Sequence, residues 1–398
     1  MAGNRKLGEL LVKKQPWLLR NGERWLWRPL RAVKPVLRIK NMVILTRHED
    51  VRRVLEADST FSVTYGEHME AVTGPFILGM DDGPRYRAES SALHAAAPHS
   101  DLPFVASLTR ERAETYLASS SRLDAVELAD EVTGEGIDRY FGLPGCSTPE
   151  ALAGGRDVFR AVFLDGDVPE VMERGQAEAK KLTDDMRKAM AEIRSHGGRE
   201  ETVLGRLLAA QGTDAPQLDD EGIPRSLLGL QAAWAASVPR AFSLALDVVL
   251  DRPAELARLR ALAAAGEERR VGELLVEALR LQPQAPFLTR LARSEMVVAP
   301  GARREHRIKQ GDIVFAVTQA AQHDRTVLDA PGTLKEGRPP TDVLHFGAGI
   351  HRCFGAAISV TQFGVLGTAL LRDGSIERAG ALQWGPAFPQ SLPLRRRH

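Results

Sequence analysis

Phe346-Gly-Ala-Gly349-Ile-His351-Arg-Cys353-Phe-Gly355 decides the reading of this 398-residue chain. The stretch follows an irregular loop and precedes an apolar helical pattern that begins at Ala356. A thiolate that binds a metal needs its negative charge eased, and the free N–H groups and macrodipole of a helix N-terminus do this. Gly347, Gly349 and Gly355 let the backbone approach the sulfur and a flat ligand without Cβ contacts. Phe346 brings an aromatic side chain that excludes water, and the neighbouring basic residues suit an anionic group. A lone cysteine is more often a small buried hydrophobe. Phe346, Gly349, His351, Cys353 and Gly355, fixed within one ten-residue frame, argue against that reading for Cys353, whereas Cys146 falls outside every motif and reads as structural or incidental.

The pattern around this loop is mainly α with small β-sheets. Val36 to Thr46 reads as two short strands with a turn near Lys40-Asn41, followed by a helix over His48 to Glu56. Apolar residues at three- and four-residue spacing predict helix from Ser107 to about Tyr140, ended by the turn Phe141-Gly-Leu-Pro-Gly145. Val158 to Ser195 predicts one or two long helices. Arg225 to Leu250 predicts another, apolar all round in its middle and therefore buried. Glu267 to Leu281 is helical again. Short strands are expected near Phe287 to Val298 and Ile313 to Val317, a Pro/Gly/charged loop over Gly332 to Asp342, and a last long helix over Ala356 to Leu371.

Composition narrows the function classes. A net charge of +1 gives no global electrostatic case for nucleic acid. Two distant cysteines do not make a disulfide scaffold and favour a reducing compartment. No uninterrupted apolar run approaches the roughly 20 residues of a membrane span, and Met1 to Pro16 is too charged for a signal peptide. These features predict a cytoplasmic protein. Trp17 to Pro29 mixes tryptophan, leucine and arginine; it reads as a packed segment with snorkelling arginines in preference to one lying on a lipid surface.

The pattern Phe-x-x-Gly-x-His-x-Cys-x-Gly resembles the heme-binding loop of the cytochrome P450 family. Glu277-Ala-Leu-Arg280, 76 residues ahead of Cys353, is similar to the family's Glu-x-x-Arg pair. At i and i+3 the two side chains share a helix face. Arg338 matches the arginine that locks that pair, and Arg290 matches a residue that binds a heme propionate. The resemblance implies a single domain over residues 1–398, with an α-rich lobe and a small β-rich lobe formed largely by the N-terminal region and the strands near 287–317. Heme b would lie between the central long helix and the cysteine loop. Cys353 would ligate the iron, Phe346, Gly347, Gly349 and Gly355 would shape the loop, and His351 and Arg290 would hold propionates. It further implies a monomeric monooxygenase of a hydrophobic small molecule, served by a ferredoxin and ferredoxin reductase.

The sequence departs from the family pattern in two places. At Asp81-Asp82-Gly83-Pro84-Arg85-Tyr86, Tyr86 stands where bacterial members carry a propionate-binding histidine and Ser90 where they carry an arginine, leaving Arg85, Arg87 or His94 to substitute. The second departure lies in the central helix. The family's acid-alcohol pair there relays protons to dioxygen; counting back from Pro253 puts Trp234 at the small-residue position, Ala236 at the acid and Ser237 at the alcohol. No Asp or Glu occurs between Glu221 and Asp247. Pro239 deprives the Ala235 carbonyl of its helical donor and is expected to kink the helix. Two catalytic readings follow: a monooxygenase whose protons come from Ser237 or water, or a heme-thiolate peroxygenase, isomerase, dehydratase or nitrene-type transferase that needs no reductase. A heme protein that only binds or senses a ligand is the non-enzymatic alternative.

Overall fold

The computed structural model describes residues 15–212, 216–339 and 342–397. The charged segment Met1 to Pro16 therefore lies almost wholly outside the described residues, as do two residues of the Gly332 to Asp342 loop. The chain divides into two compact units, each assembled from several stretches: one from residues 1–66, 80–82 and 276–354, the other from 67–79, 83–275 and 355–398.

The first unit is built on a five-stranded sheet. Strands Val36–Ile39, Met42–Leu45, Ile313–Ala316, Leu288–Ala292 and Phe61–Val63 lie side by side in that order. The opening hairpin forms as the sequence predicts, with Ile39 opposite Met42 and Lys40 at φ 56 in the turn. Met42–Leu45 pairs in parallel with Ile313–Ala316, and the other neighbours are antiparallel. Val43, Leu45, Val54, Leu55, Val314 and Ala316 fill the core beneath the sheet. The helix His48–Glu56 starts and stops where its periodicity does. In the tryptophan-rich segment, Leu18, Leu19 and Trp27 are buried and the Trp27 indole donates to Gln319 Oε1 at 2.9 Å, while Trp17 and Trp25 are exposed. The packed reading holds for one face of that segment only.

The second unit is helical. Its helices run over Pro84–Ala96, Leu102–Ser119, Ala125–Glu135, Pro149–Phe163, Pro169–His196, Gly222–Leu250, Pro253–Ala264 and Ala356–Leu371. The expected helix from Ser107 to Tyr140 is two helices, because Leu123-Asp124 forms a strand with the C-terminal segment and Asp124 then caps Ala125–Glu135 through the amides of Val126 and Glu127. Glycine and proline define the long helices that follow: Pro149 and Pro169 each sit at a first helical position, and Gly197 closes the second at φ 68. Helices Pro84–Ala96 and Pro253–Ala264 are weakly amphipathic and escaped the periodicity reading.

The central helix, Gly222–Leu250, runs through Pro239 without a break in its 29 residues. By length and composition it could cross a membrane, as could the stretch 349–371; 78% of the first window is buried within the protein. That is the place of a core helix. Only Arg225, Gly229, Ala233 and Ser237, at four-residue spacing, interrupt the burial before Leu250. The spacing puts them on one stripe. Arg225 and Gly229 are engaged there, by Glu89 and the Phe76 ring, so the open part of the stripe is Ala233 and Ser237.

Candidate functional site

The cysteine loop is held by its own backbone. The Cys353 amide donates to Phe346 O at 2.8 Å, closing the loop. Gly347 and Gly349 have φ of 72° and 70°, conformations that L side chains rarely adopt. At Gly349 a Cβ would also lie 2.5 Å from the Leu55 carbonyl, so glycine is required there twice over. The Asp58 carboxylate accepts from the Ile350 amide at 3.1 Å and pins the turn that carries His351. At the loop's entry, Gln322 accepts from the Leu344 amide at 3.1 Å. The Cys353 side chain is exposed; Cys146 is buried, its thiol pushed up to about 12 by burial. Only Cys353 has the exposure of a ligand or nucleophile.

Arg290 and His351 come together in the same unit. Arg290 sits mid-strand, opposite Val63 on one side and Val314 on the other, and is 4% exposed. Its Nη1 donates to its neighbour's carbonyl, Thr289 O, at 3.0 Å. Burial lowers its pKa, with Tyr65 and Asp58 pulling the other way. Burial, followed by the charge of Arg290, pushes the His351 imidazole down to about 4. His351 Nδ1 is a buried nitrogen with no partner. A desolvated guanidinium beside an unsatisfied imidazole nitrogen fits an anionic group. The carboxylates of heme are such groups, so the residues present fit the cofactor that the loop implies.

Glu277 and Arg280 form a buried network with Arg338. Arg280 is fully buried; its Nε donates to Glu277 Oε1 at 2.9 Å, and its terminal nitrogens donate to the carbonyls of Gln322, Pro331 and Thr333. Arg338 Nε reaches the same Glu277 oxygen at 2.7 Å.

In the other unit, the Ser237 hydroxyl donates to Ala233 O one turn back, the usual bond of a helical serine. Ala236 is buried. Trp234 is also buried and points off the open stripe: its ring lies against Gly136, where a Cβ would approach to 2.6 Å, and edge-on to Phe141, while its Nε1 donates to Gln362 Oε1 at 3.0 Å. Trp234 thus packs between helices. The carbonyl of Ala235, released by Pro239, is taken by Arg156 Nε at 3.2 Å. Arg156 thus takes one of the two acceptor positions of the carbonyl that Pro239 frees. Arg85 is committed to the buried Glu89 through Nε at 2.8 Å, and Tyr86, the next residue on that helix, is half-buried. Arg240 lies buried against the rings of Trp384 and Phe388, and Phe388 meets Phe159.

Comparison with known proteins bears on the fold. No protein-family model matches the chain. Cytochrome P450 137 of Mycobacterium tuberculosis is 30% identical over 179 residues, 44% of this chain and 37% of that protein. The chain thus spans about two fifths of the length of the first curated relatives it matches. Nocardicin C N-oxygenase of Nocardia uniformis subsp. tsuyamanensis is 26% identical over 86% of both chains. Among solved structures, CalO2 superposes with a TM-score of 0.79 at 23% identity, covering 97% of this chain and 96% of its own. The cytochrome P450 CYP109B1 of Bacillus subtilis gives 0.73 at 19%, covering 96% and 99%. In fold the chain is a likeness of solved cytochromes P450, and in sequence it is similar to curated members of that family.

The cofactor of this family is heme b. In this chain, the residues that sequence reading brought to the loop (Phe346, Gly347, Gly349, His351, Cys353 and, across the strands, Arg290) share one unit, and Gly355 follows directly in the chain. Asp58, Gln322, Asp130 and Arg156 were missed. None lies in a motif, and each acts through a backbone amide, a backbone carbonyl or a partner distant in sequence.

Proposed function

We propose that this protein is a heme-thiolate monooxygenase that oxidises a hydrophobic small molecule in the cytoplasm with electrons from a ferredoxin-type partner. The observation that carries the reading is the cysteine loop with the buried Arg290 and the half-buried His351 beside it. When bound, heme would supply the dioxygen chemistry through a thiolate-ligated iron. Cys353 would hold the iron, Arg290 and His351 would hold propionate, and Ser237 would hold or give up a proton at its Oγ. The half-buried aromatic rings of Phe159, Phe163 and Phe388 suit an apolar or aromatic substrate.

A second reading keeps a specific observation. The central helix holds no carboxylate from Gly222 to Leu246, and the Ala235 carbonyl is already bonded, so Ser237 alone stands where the family has two proton-handling groups. General acid assistance is worth about 100- to 10,000-fold. A peroxide-driven enzyme, or one that isomerises, dehydrates or transfers a nitrene-type group, does not need that assistance. Product analysis after a spectral binding screen separates the two: turnover with ferredoxin, reductase and NADPH supports the first, and turnover with peroxide or with no reductant supports the second.

Two expected results follow. Ser237→Ala lowers the product formed per NADPH consumed by about tenfold or more; unchanged coupling on the true substrate removes serine from the proton route. Arg290→Ala and His351→Ala each weaken heme retention. A hydrogen bond to a charged group is worth about 1.5–3 kcal/mol, so dissociation should rise roughly 10- to 100-fold, read by transfer of heme to an apoprotein acceptor. Retention equal to wild type in both variants places the propionates elsewhere.

A further inference from the structure

Proline inside a helix leaves an acceptor behind. Pro239 has no N–H, so the carbonyl of Ala235 loses the donor that closes every other turn. A buried carbonyl left unpaired is costly, and the central helix is buried on nearly every side at this point. The helix nevertheless continues unbroken to Leu250. Something outside it satisfies Ala235.

Three helices of one compact unit meet here. The helix Pro149–Phe163 crosses the central helix at Gly155, where a Cβ would come within 3.2 Å of the Ala235 Cβ and 2.7 Å of the Gln231 amide oxygen. Only glycine permits that approach. The next residue, Arg156, therefore lies against the central helix backbone, and its Nε donates to Ala235 O at 3.2 Å. Its Nη2, on the same guanidinium edge, donates to Asp130 Oδ1 on the helix Ala125–Glu135. One turn earlier, Gln231 ties the central helix to the start of Pro149–Phe163 and the turn before it, through Nε2 to the carbonyls of Ala151 and Cys146.

We infer that Arg156, aligned by Asp130, is a positioning residue: it supplies the hydrogen bond that Pro239 removes and so fixes the backbone of Ala235, Ala236 and Ser237. The planar fork of arginine serves a carbonyl and a carboxylate at once, which a lysine ammonium does not do in the same plane. Burial pushes the Asp130 carboxyl up to about 6, against the pull of Arg156, so at neutral pH the pair is ionised. The consequence for chemistry is specific. Ser237 is two residues past the braced carbonyl, so the brace holds in place the one proton-bearing side chain of these three residues. That consequence rests on the monooxygenase reading, whereas the brace itself does not.

The test is a double-mutant cycle on the heme-loaded enzyme. Arg156→Ala should lower the thermal unfolding midpoint by roughly 2–6 °C at fixed scan rate. Pro239→Ala restores an N–H to Ala235, so in that background Arg156→Ala should cost less than half as much. An equal drop in both backgrounds overturns the inference and reduces Arg156 to an ordinary surface ion pair with Asp130. Should Arg156→Ala fail to fold, Arg156→Lys runs the same cycle, because it keeps the charge opposite Asp130 but not the fork. Asp130→Asn should give a smaller drop that Pro239→Ala also relieves. In turnover, Arg156→Ala should lower product per NADPH several-fold with little change in KM, and Pro239→Ala should restore it. If the wild type turns over with peroxide alone, the monooxygenase reading fails while the unfolding cycle still decides the brace.

Discussion

Arg280→Ala leaves this protein as apoprotein or aggregate. Arg280 is fully buried and, among the described residues, donates to the Glu277 carboxylate and to the carbonyls of Gln322, Pro331 and Thr333. Those carbonyls lie 42, 51 and 53 residues along the chain from it, so one guanidinium closes several long loops. Removing it strands three carbonyls and leaves Glu277 with Arg338 Nε and the Lys335 amide. Breaking a buried pair in this way costs about 3–5 kcal/mol, against a total stability of about 5–15 kcal/mol. Arg338→Ala should cost less. Its Nη2 bonds, to Asp329 O and Ala330 O, are at the exposed edge, and Glu277 would keep Arg280. Heme content and soluble yield measure both variants. A soluble Arg280→Ala protein with full heme would mean that the network is dispensable.

The sequence made this network legible because it is written locally. Glu277 and Arg280 share a helix face at three-residue spacing, and Arg338 stands in a loop whose place the family resemblance supplies. The cysteine loop was legible for the same reason: its glycines answer to positive φ and to a carbonyl 2.5 Å away at Gly349, demands that only one residue type meets. Boundaries set by a distant partner were not legible. Leu123-Asp124 breaks a helical pattern because residues 393 and 394 pair with it, and nothing near position 123 announces that. Trp234 shows the limit from the other side. Counting placed it at the family's small-residue position, while the direction of its ring is set by Gly136 on another element. The brace at Pro239 was half visible: proline announces an orphaned carbonyl, while the donor, 79 residues away, does not announce itself.

Cys353→Ala should remove the thiolate signature and the turnover while leaving the fold intact. The loop is held by groups that the substitution does not touch: the amide of residue 353 on Phe346 O, the glycines at 347 and 349, and the Ile350 amide on Asp58. The thiol itself is exposed, and surface substitutions usually change stability by no more than about 0.5 kcal/mol. The unfolding midpoint and circular dichroism of the apoprotein should therefore match wild type. The reduced carbonyl complex of the wild type should carry the red-shifted band that gives the family its name, since that band reports a thiolate on iron; Cys353→Ala should lack it, and product formation should fall to background. Cys146→Ala is the control. That thiol is buried against Leu182 O at 3.7 Å and is held protonated by burial, so its loss should lower stability modestly and leave the band in place. The two cysteines thus predict opposite pairs of outcomes, signature without stability for Cys353 and stability without signature for Cys146. A band that survives in Cys353→Ala and disappears in Cys146→Ala would reverse the assignment; one that survives in both would place the iron ligand on neither sulfur.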